Sequence, residues 1–243
     1  MKMIQGDCLV EMQSVPDKSI DLILTDPPYG TTACKWDTII PFDLMWEQLN
    51  RIIKPNGAIV MTASQPFTSA LIMSNIKMFR YEWIWVKTKA SNFQNARKMP
   101  MKRHENICVF YNYLPQYNHN AVKLSKPKLN SRKNKGANLG HCVDSGNYYQ
   151  KDGGFPTTDI YFSNPSGKGQ LHPTQKPVAL MEYLIKTYTN ENETVLDFTM
   201  GSGTTGVACK NLNRDFIGIE LDKEYFEIAK QRIENHVVQT ELF

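Results

Sequence analysis

The chain is 243 residues long, 41% hydrophobic and 21% charged, with a formal net charge of +4. That length and apolar content suffice for one large core, or a core with a small accessory region, and exclude a chain disordered throughout. No apolar run reaches the length of a membrane helix, the first residues read as a strand and not as a charged-then-apolar leader, and the five cysteines stand apart with no C-x-x-C spacing, so a cytoplasmic chain of reduced thiols without a zinc site is expected.

In chain order, "MKMIQ" reads as a strand, "CLVEMQSV" as a short helix and "SIDLILT" as a strand, divided by Gly6 and Pro16. "TDPPYG" follows at residues 25 to 30. Pro27 and Pro28 fix φ and donate no backbone hydrogen bond, which holds the neighbouring carbonyls at preset angles, a stiffness that suits a site. A helix is predicted over "PFDLMWEQLNRIIK": Pro41 suits its first turn, Met45, Leu49, Ile52 and Ile53 recur at helical spacing, and "PNG" stops it. "GAIVMTA" reads as a buried strand, "PFTSALIMSNIKM" as a helix, and "YEWIWVKT" and "ENICVFY" as strands. From about residue 112 to 170 the apolar periodicity lapses into Asn, Gly, Ser, Lys and Tyr. The rhythm resumes with helix "PVALMEYLIKTYT", strand "TVLDF", helix "GTTGVACKNLN", strand "DFIGIE" and helix "KEYFEIAKQRIENHV". Such alternation predicts an α/β domain with a mostly parallel sheet and helices on both faces, built from residues 1–111 and 171–243, with 112–170 as an insert.

Charge is divided unevenly along this plan. Residues 80 to 151 hold 14 Lys and Arg against three acids, a net +11, which leaves −7 for the remainder of a chain at +4. A basic stretch of this size suits a polyanion, because neutralised phosphates release condensed counterions. A structureless loop is uncommon at that length unless it is functional, which adds weight to the insert.

Gly201, Gly203 and Gly206 stand in G-x-G-x-x-G spacing between a strand and a helix, and Glu220 ends the next strand. The glycines allow a tight turn and close approach to a ligand, the helix start offers free N–H groups, and the acid suits ribose hydroxyls. An adenosine-type cofactor fits. A nicotinamide oxidoreductase normally places this fingerprint first, with several βα units after it; here one strand and one helix follow, so the rest of the sheet has to come from the N-terminal segment. "TDPPYG" and the glycine loop are then both expected at the carboxyl ends of neighbouring strands.

With these motifs the sequence resembles the S-adenosylmethionine-dependent DNA amino-methyltransferases of the permuted (beta) order, through "GD" at 6 to 7, "DPPY" at 26 to 29, "HPTQKP" at 172 to 177, "LDFTMGSGTTG" at 196 to 206 and "GIELD" at 218 to 222. The resemblance implies a Rossmann-like fold with circularly permuted motifs, and S-adenosylmethionine as cofactor. It implies that Asp197, Gly201, Ser202, Gly203, Thr204 and Thr205 cradle the methionine part, that Glu220 holds the ribose hydroxyls, and that Asp7 caps the adenine amino group. The resemblance further implies that Phe198, one place earlier than the aromatic of the family pattern, walls the methionine end, and that Thr174 and Lys176 face the cofactor carboxylate. The Asp26 carboxylate and the Pro27 carbonyl, stiffened by Pro28, are expected to hold the two protons of an adenine amino group, with Tyr29 stacked on a base swung out of the duplex; no metal is required. Lys123, Lys126, Lys128, Arg132, Lys133 and Lys135 are the expected DNA contacts, joined by "NARKMPMKRHE" at 95 to 105, where His104 and Glu105 read equally as a capping or packing pair. Beyond double-stranded DNA, a homodimer and a cognate restriction endonuclease stay open as partners. The function expected is N6-adenine methylation; N4-cytosine methylation is the rival inside the family, though that group usually shows serine where Asp26 stands. Methylation of RNA or a protein glutamine, an NAD-binding oxidoreductase and a non-catalytic DNA-binding module are the other readings.

Overall fold

The computed structural model describes residues 1–32, 37–119, 128–131, 147–150, 155–164 and 175–238. They fall into two compact units, Met1–Asn118 with Thr158–Phe243, and His119–Thr157.

The larger unit is built on an eight-stranded sheet. Its strands are β1 (Lys2–Gln5), β2 (Ile20–Thr25), β3 (Ile53–Ala63), β4 (Phe79–Ser91), β5 (Lys102–Phe110), β8 (Asp159–Phe162), β9 (Thr194–Asp197) and β10 (Asp215–Glu220), in the order β1-β10-β9-β2-β3-β5-β4-β8. Only β5 runs against its neighbours. Strands from the two parts of the chain thus interleave: β1 pairs with β10 and β2 with β9, all parallel.

Period-two alternation sends the apolar residues of each central strand to both faces. Leu22, Leu24, Ala58, Val60 and Val195 join one core cluster with Leu180, Leu184, Val207, Ala229 and Ile233. Those last five come from α4 (Val178–Tyr188), α5 (Thr204–Asn211) and α6 (Lys223–Glu234). Ile20, Ile23, Ile59, Met61 and Leu196 join the opposite cluster with Met12, Met45, Leu49, Phe67 and Leu71. Met12 lies in the turn after α1 (Cys8–Glu11), and the rest of that helical layer is α2 (Phe42–Ile52) and α3 (Phe67–Ser74). Helices on both faces of a mostly parallel sheet follow from strands that have no polar side to give to water.

Several bounds differ from expectation. Pro41 caps α2 from outside, and Ile53 already belongs to β3, because the apolar spacing that suits a helix also suits the start of a buried strand. α3 stops at Ser74, four residues before the end of the predicted helix. β4 runs on through the polar "KAS", held by pairing of Ser91 with Lys102. β8 falls in the expected insert and instead pairs in parallel with β4, from Ile84 against Asp159 to Lys87 against Phe162.

The smaller unit contains an antiparallel ribbon of β6 (Lys128–Ser131) and β7 (Asn147–Gln150), with Lys128 opposite Gln150. His119 and Phe155 pack there with ring centroids 5.5 Å apart.

Candidate active site

β2 and β9 are adjacent and parallel, so the loops at their carboxyl ends emerge side by side. Those loops are Asp26–Tyr29 and Phe198–Gly203. Thr25 and Thr199 stitch them together: Thr25 Oγ1 donates to Asp197 Oδ1 at 2.8 Å and lies 2.6 Å from Thr199 Oγ1, which in turn donates to the Asp26 carbonyl at 3.2 Å. The same strand edge carries Asp7 after β1, Glu220 at the end of β10 and Thr62 near the end of β3. One cavity of about 640 Å³ is lined by Asp7, Asp26, Pro27, Pro28, Tyr29, Phe198, Gly201, Ser202, Thr204, Thr205 and Glu220, with Glu105 and Lys176 also in its wall.

The Asp26 carboxylate accepts three side-chain hydrogen bonds. Its Oδ1 accepts from the Tyr29 hydroxyl at 2.6 Å and from the Thr62 hydroxyl, and its Oδ2 accepts from Lys176 Nζ at 2.5 Å. A carboxylate offers about four acceptor sites, so one remains among the described residues. Tyr29 is raised well above the ordinary tyrosine range, first by burial and then by the Asp26 charge, so its hydroxyl stays a donor. Its ring is stacked on Phe67 at 5.1 Å and 26°, and Lys176 Nζ lies 5.8 Å from the ring centroid. A phenol used in this way anchors Asp26. The loop beyond is fastened by buried Asp37, which accepts from the backbone N–H groups of Gly30, Thr31 and Thr32. Burial would raise the Asp37 carboxyl, yet a hydrogen bond from the Thr32 side chain, together with those backbone bonds, brings it below its usual value.

Lys176, expected toward a cofactor carboxylate, stands between two carboxylates of the chain itself. It is 8% exposed and pairs with Asp26 and, at 3.6 Å, with Glu105 Oε2. Burial alone would lower the ammonium; the two carboxylates outweigh it and hold Lys176 above its ordinary value. The reason is topological: the turn before α4 comes down beside β5, where Glu105 faces the cavity.

The glycine loop is shaped by positive φ, +50° at Gly201 and +77° at Gly203. A Cβ on Gly203 would lie 2.9 Å from Ile233 Cδ1 and 3.0 Å from Ala229 Cβ, whereas one on Gly201 would meet nothing within 4 Å. Arg232 fastens the loop from α6, donating to the Ser202 carbonyl at 2.9 Å and to Thr204 Oγ1 at 3.1 Å. Asp197 is buried and accepts from Thr25, from Thr205 at 2.6 Å and from the Thr199 N–H at 3.2 Å; burial pushes it up to about 6 against those bonds. Glu220 accepts from the N–H groups of Gly201 at 2.8 Å and Asp222 at 2.9 Å, and burial raises it. Each of its oxygens keeps a lone pair for a further donor. Asp7 caps α1 through Leu9 N–H at 2.8 Å.

Thr174 lies outside the described residues, as do Lys123, Lys126, Arg132, Lys133 and Lys135; Lys128 opens β6. Thr62, Thr25, Thr199, Arg232 and Glu105 were not singled out for the site by motif. A buried threonine at the carboxyl end of a strand was the available signal for Thr62, and a lone acid amid basic residues for Glu105.

Comparison with known proteins bears on the same arrangement. The N6/N4 family of DNA methylases matches the chain across residues 20–231. The chain belongs to this family. It is 30% identical over 247 residues to the type II methyltransferase M.HpaI of Haemophilus parainfluenzae, spanning 96% of this chain and 74% of that protein. It is 28% identical to the DNA adenine methyltransferase YhdJ of Escherichia coli (strain K12), over 95% of this chain and 82% of the other. The solved M1.HpyAVI complex with SAM superposes with a TM-score of 0.63 at 28% identity, covering 95% of this chain and 98% of that one. The protein is therefore an S-adenosylmethionine-dependent DNA methyltransferase with the corresponding α/β fold.

The cavity suits that methyl donor. It opens where Gly201 carries no side chain, an acid with spare acceptor capacity lies at Glu220, and Phe198 gives an apolar wall. Asp7, Phe198, Gly201, Ser202 and Glu220 line this part of the cavity. Among the described residues no cluster of His, Cys, Asp and Glu could hold a metal ion, and no helix is long and apolar enough to cross a membrane.

Proposed function

We propose that the protein methylates the N6 amino group of adenine in double-stranded DNA, with the base swung out of the helix. The observation that carries this reading is the join between the two loops, in which Thr199 from the glycine loop bonds the Asp26 carbonyl and thereby fixes the acceptors of the "DPPY" turn against the cofactor loop. S-adenosylmethionine supplies an electrophilic methyl group on a sulfonium sulfur. The chain's own residues supply aim. The free acceptor site of Asp26 and the Pro27 carbonyl take the two N–H bonds of the amine, which draws the nitrogen away from conjugation with the ring and turns its lone pair outward. Thr62, Tyr29 and Lys176 keep the carboxylate from rotating. The same carboxylate is placed to take the proton the amine sheds once alkylated. Because an adenine amine is stacked inside the duplex, this geometry requires base flipping.

Adenine is favoured over cytosine by aspartate in the first place of "DPPY", by the resemblance to the adenine group, and by a relative named as a DNA adenine methyltransferase. The stretch at 112–170 is proposed as the target-recognition insert, with Lys123, Lys126, Lys128, Arg132, Lys133 and Lys135 on DNA phosphates. A second copy of the chain and a cognate endonuclease rest on the family resemblance alone. Transfer of a labelled methyl group to duplex DNA, RNA and protein in parallel tests the reading: label in duplex DNA is expected, and label in RNA or protein without DNA contradicts it.

A further inference from the structure

Glu105 has no part in the chemistry above, yet it lies in the cavity wall with its side chain 14% exposed. Its Oε1 is paired with Lys87, whose ammonium sits 4.8 Å from the centroid of the Trp85 ring. Its Oε2 is buried, has no hydrogen-bond partner among the described residues and stands 3.6 Å from Lys176 Nζ. Lys176 is in turn bonded to Asp26 Oδ2 at 2.5 Å. Four charges thus alternate in sign, Asp26, Lys176, Glu105, Lys87, contributed by the loop after β2, the turn before α4, β5 and β4.

Resting on the function proposed above, we propose that Glu105 is a positioning residue that acts through Lys176 to hold the Asp26 carboxylate ready for the substrate amine. An ammonium given wholly to Asp26 competes with the amine for the same carboxylate. A second carboxylate on its far side shares that ammonium, limits how far it neutralises Asp26, and fixes its direction of approach. Removing a charge from such a chain leaves its neighbours buried and unpaired, so the effect passes along the line. Lys87, held on one side by Glu105 and on the other by an aromatic face, anchors the far end.

A double-mutant cycle on the full chain reads this out: wild type, Glu105→Gln, Lys176→Met and the double variant, each assayed for single-turnover methyl transfer at saturating DNA and S-adenosylmethionine, with cofactor affinity by calorimetry and folding by thermal melts. Glu105→Gln is expected to slow transfer tenfold or more with cofactor affinity changed less than threefold. The double variant is expected to be no slower than Lys176→Met alone, because both act on one carboxylate. Lys176→Arg, which keeps the charge, is expected to recover most of the rate. A purely structural role would lower the melting temperature without this non-additivity and without rescue. Wild-type rates in Glu105→Gln, additive losses, or a slowed rate matched by an equal loss of cofactor affinity each overturn the proposal. Should Glu105→Gln fail to fold, the Lys176→Met and Lys176→Arg pair decides: equal rates in the two contradict it. A wild-type chain that transfers no methyl group to DNA sinks the function on which the proposal rests; an active wild type with unaffected variants sinks the proposal alone.

Discussion

Asp26 is expected to matter to the reaction far more than to the binding of the methyl donor, since the partners of its carboxylate, Tyr29, Thr62 and Lys176, lie outside the glycine loop. Replacing it with alanine should cost about 10²–10⁴-fold in methyl transfer, the range of a positioned acceptor or base, while S-adenosylmethionine binds within a few-fold of wild type. Equal turnover in the variant would contradict the mechanism. Asp197 makes the opposite kind of prediction. Its carboxyl is raised from 3.8 to about 6 in the fold by burial, so the folded chain binds more protons than the unfolded chain between those values. Stability then falls as pH rises through this window, and the ionised form costs about 2–3 kcal/mol at neutral pH. Denaturant melts of wild type and Asp197→Asn should therefore show wild type gaining on the variant as pH drops from 7 to 4.5. A gain for the variant over that interval would mean that Asp197 is stabilised as a charge.

Among the elements, the glycine loop separates folding from binding at two nearby positions. Gly203 has φ +77° and no room for a Cβ against α6, so Gly203→Ala should destabilise the protein by about 1–3 kcal/mol in chemical melts. Gly201 has φ +50° and open space, so Gly201→Ala should cost about 1 kcal/mol of stability but at least tenfold in cofactor affinity by calorimetry, since its new methyl enters the cavity. The reverse pattern would mean that the loop does not face the donor. The glycine loop and the "DPPY" turn were legible in the sequence because glycine and proline act on their own backbone, whatever surrounds them. Thr62, Glu105 and Lys87 were not, because their roles depend on strand order. The arrangement β2-β3-β5-β4 is what carries Thr62 to Asp26 and Glu105 to Lys176, and no local pattern announces it. β8 was missed for a related reason: of "DIYF" only Ile160 turns fully inward, too little to show a period.

Across the molecule, charge is the property with the longest reach. The α/β rhythm, the position of both loops at one strand edge and the parallel sheet could be read from periodicity and punctuation, whereas the basic stretch showed only that a polyanion is expected. Neutralising Lys123, Lys126, Lys128, Arg132, Lys133 and Lys135 together should weaken duplex DNA binding by at least about 100-fold at moderate salt, and flatten the dependence of log affinity on log salt by about 0.9 for each phosphate no longer neutralised. Cofactor affinity should not change. An unchanged salt slope would remove the insert from the DNA interface. The central claim is that the "DPPY" turn and the glycine loop together present an adenine amine to the methyl donor, and nucleoside analysis tests it most directly. Duplex DNA methylated by the chain, digested to nucleosides and resolved by mass, should contain N6-methyldeoxyadenosine; N4-methyldeoxycytidine without it would contradict the account.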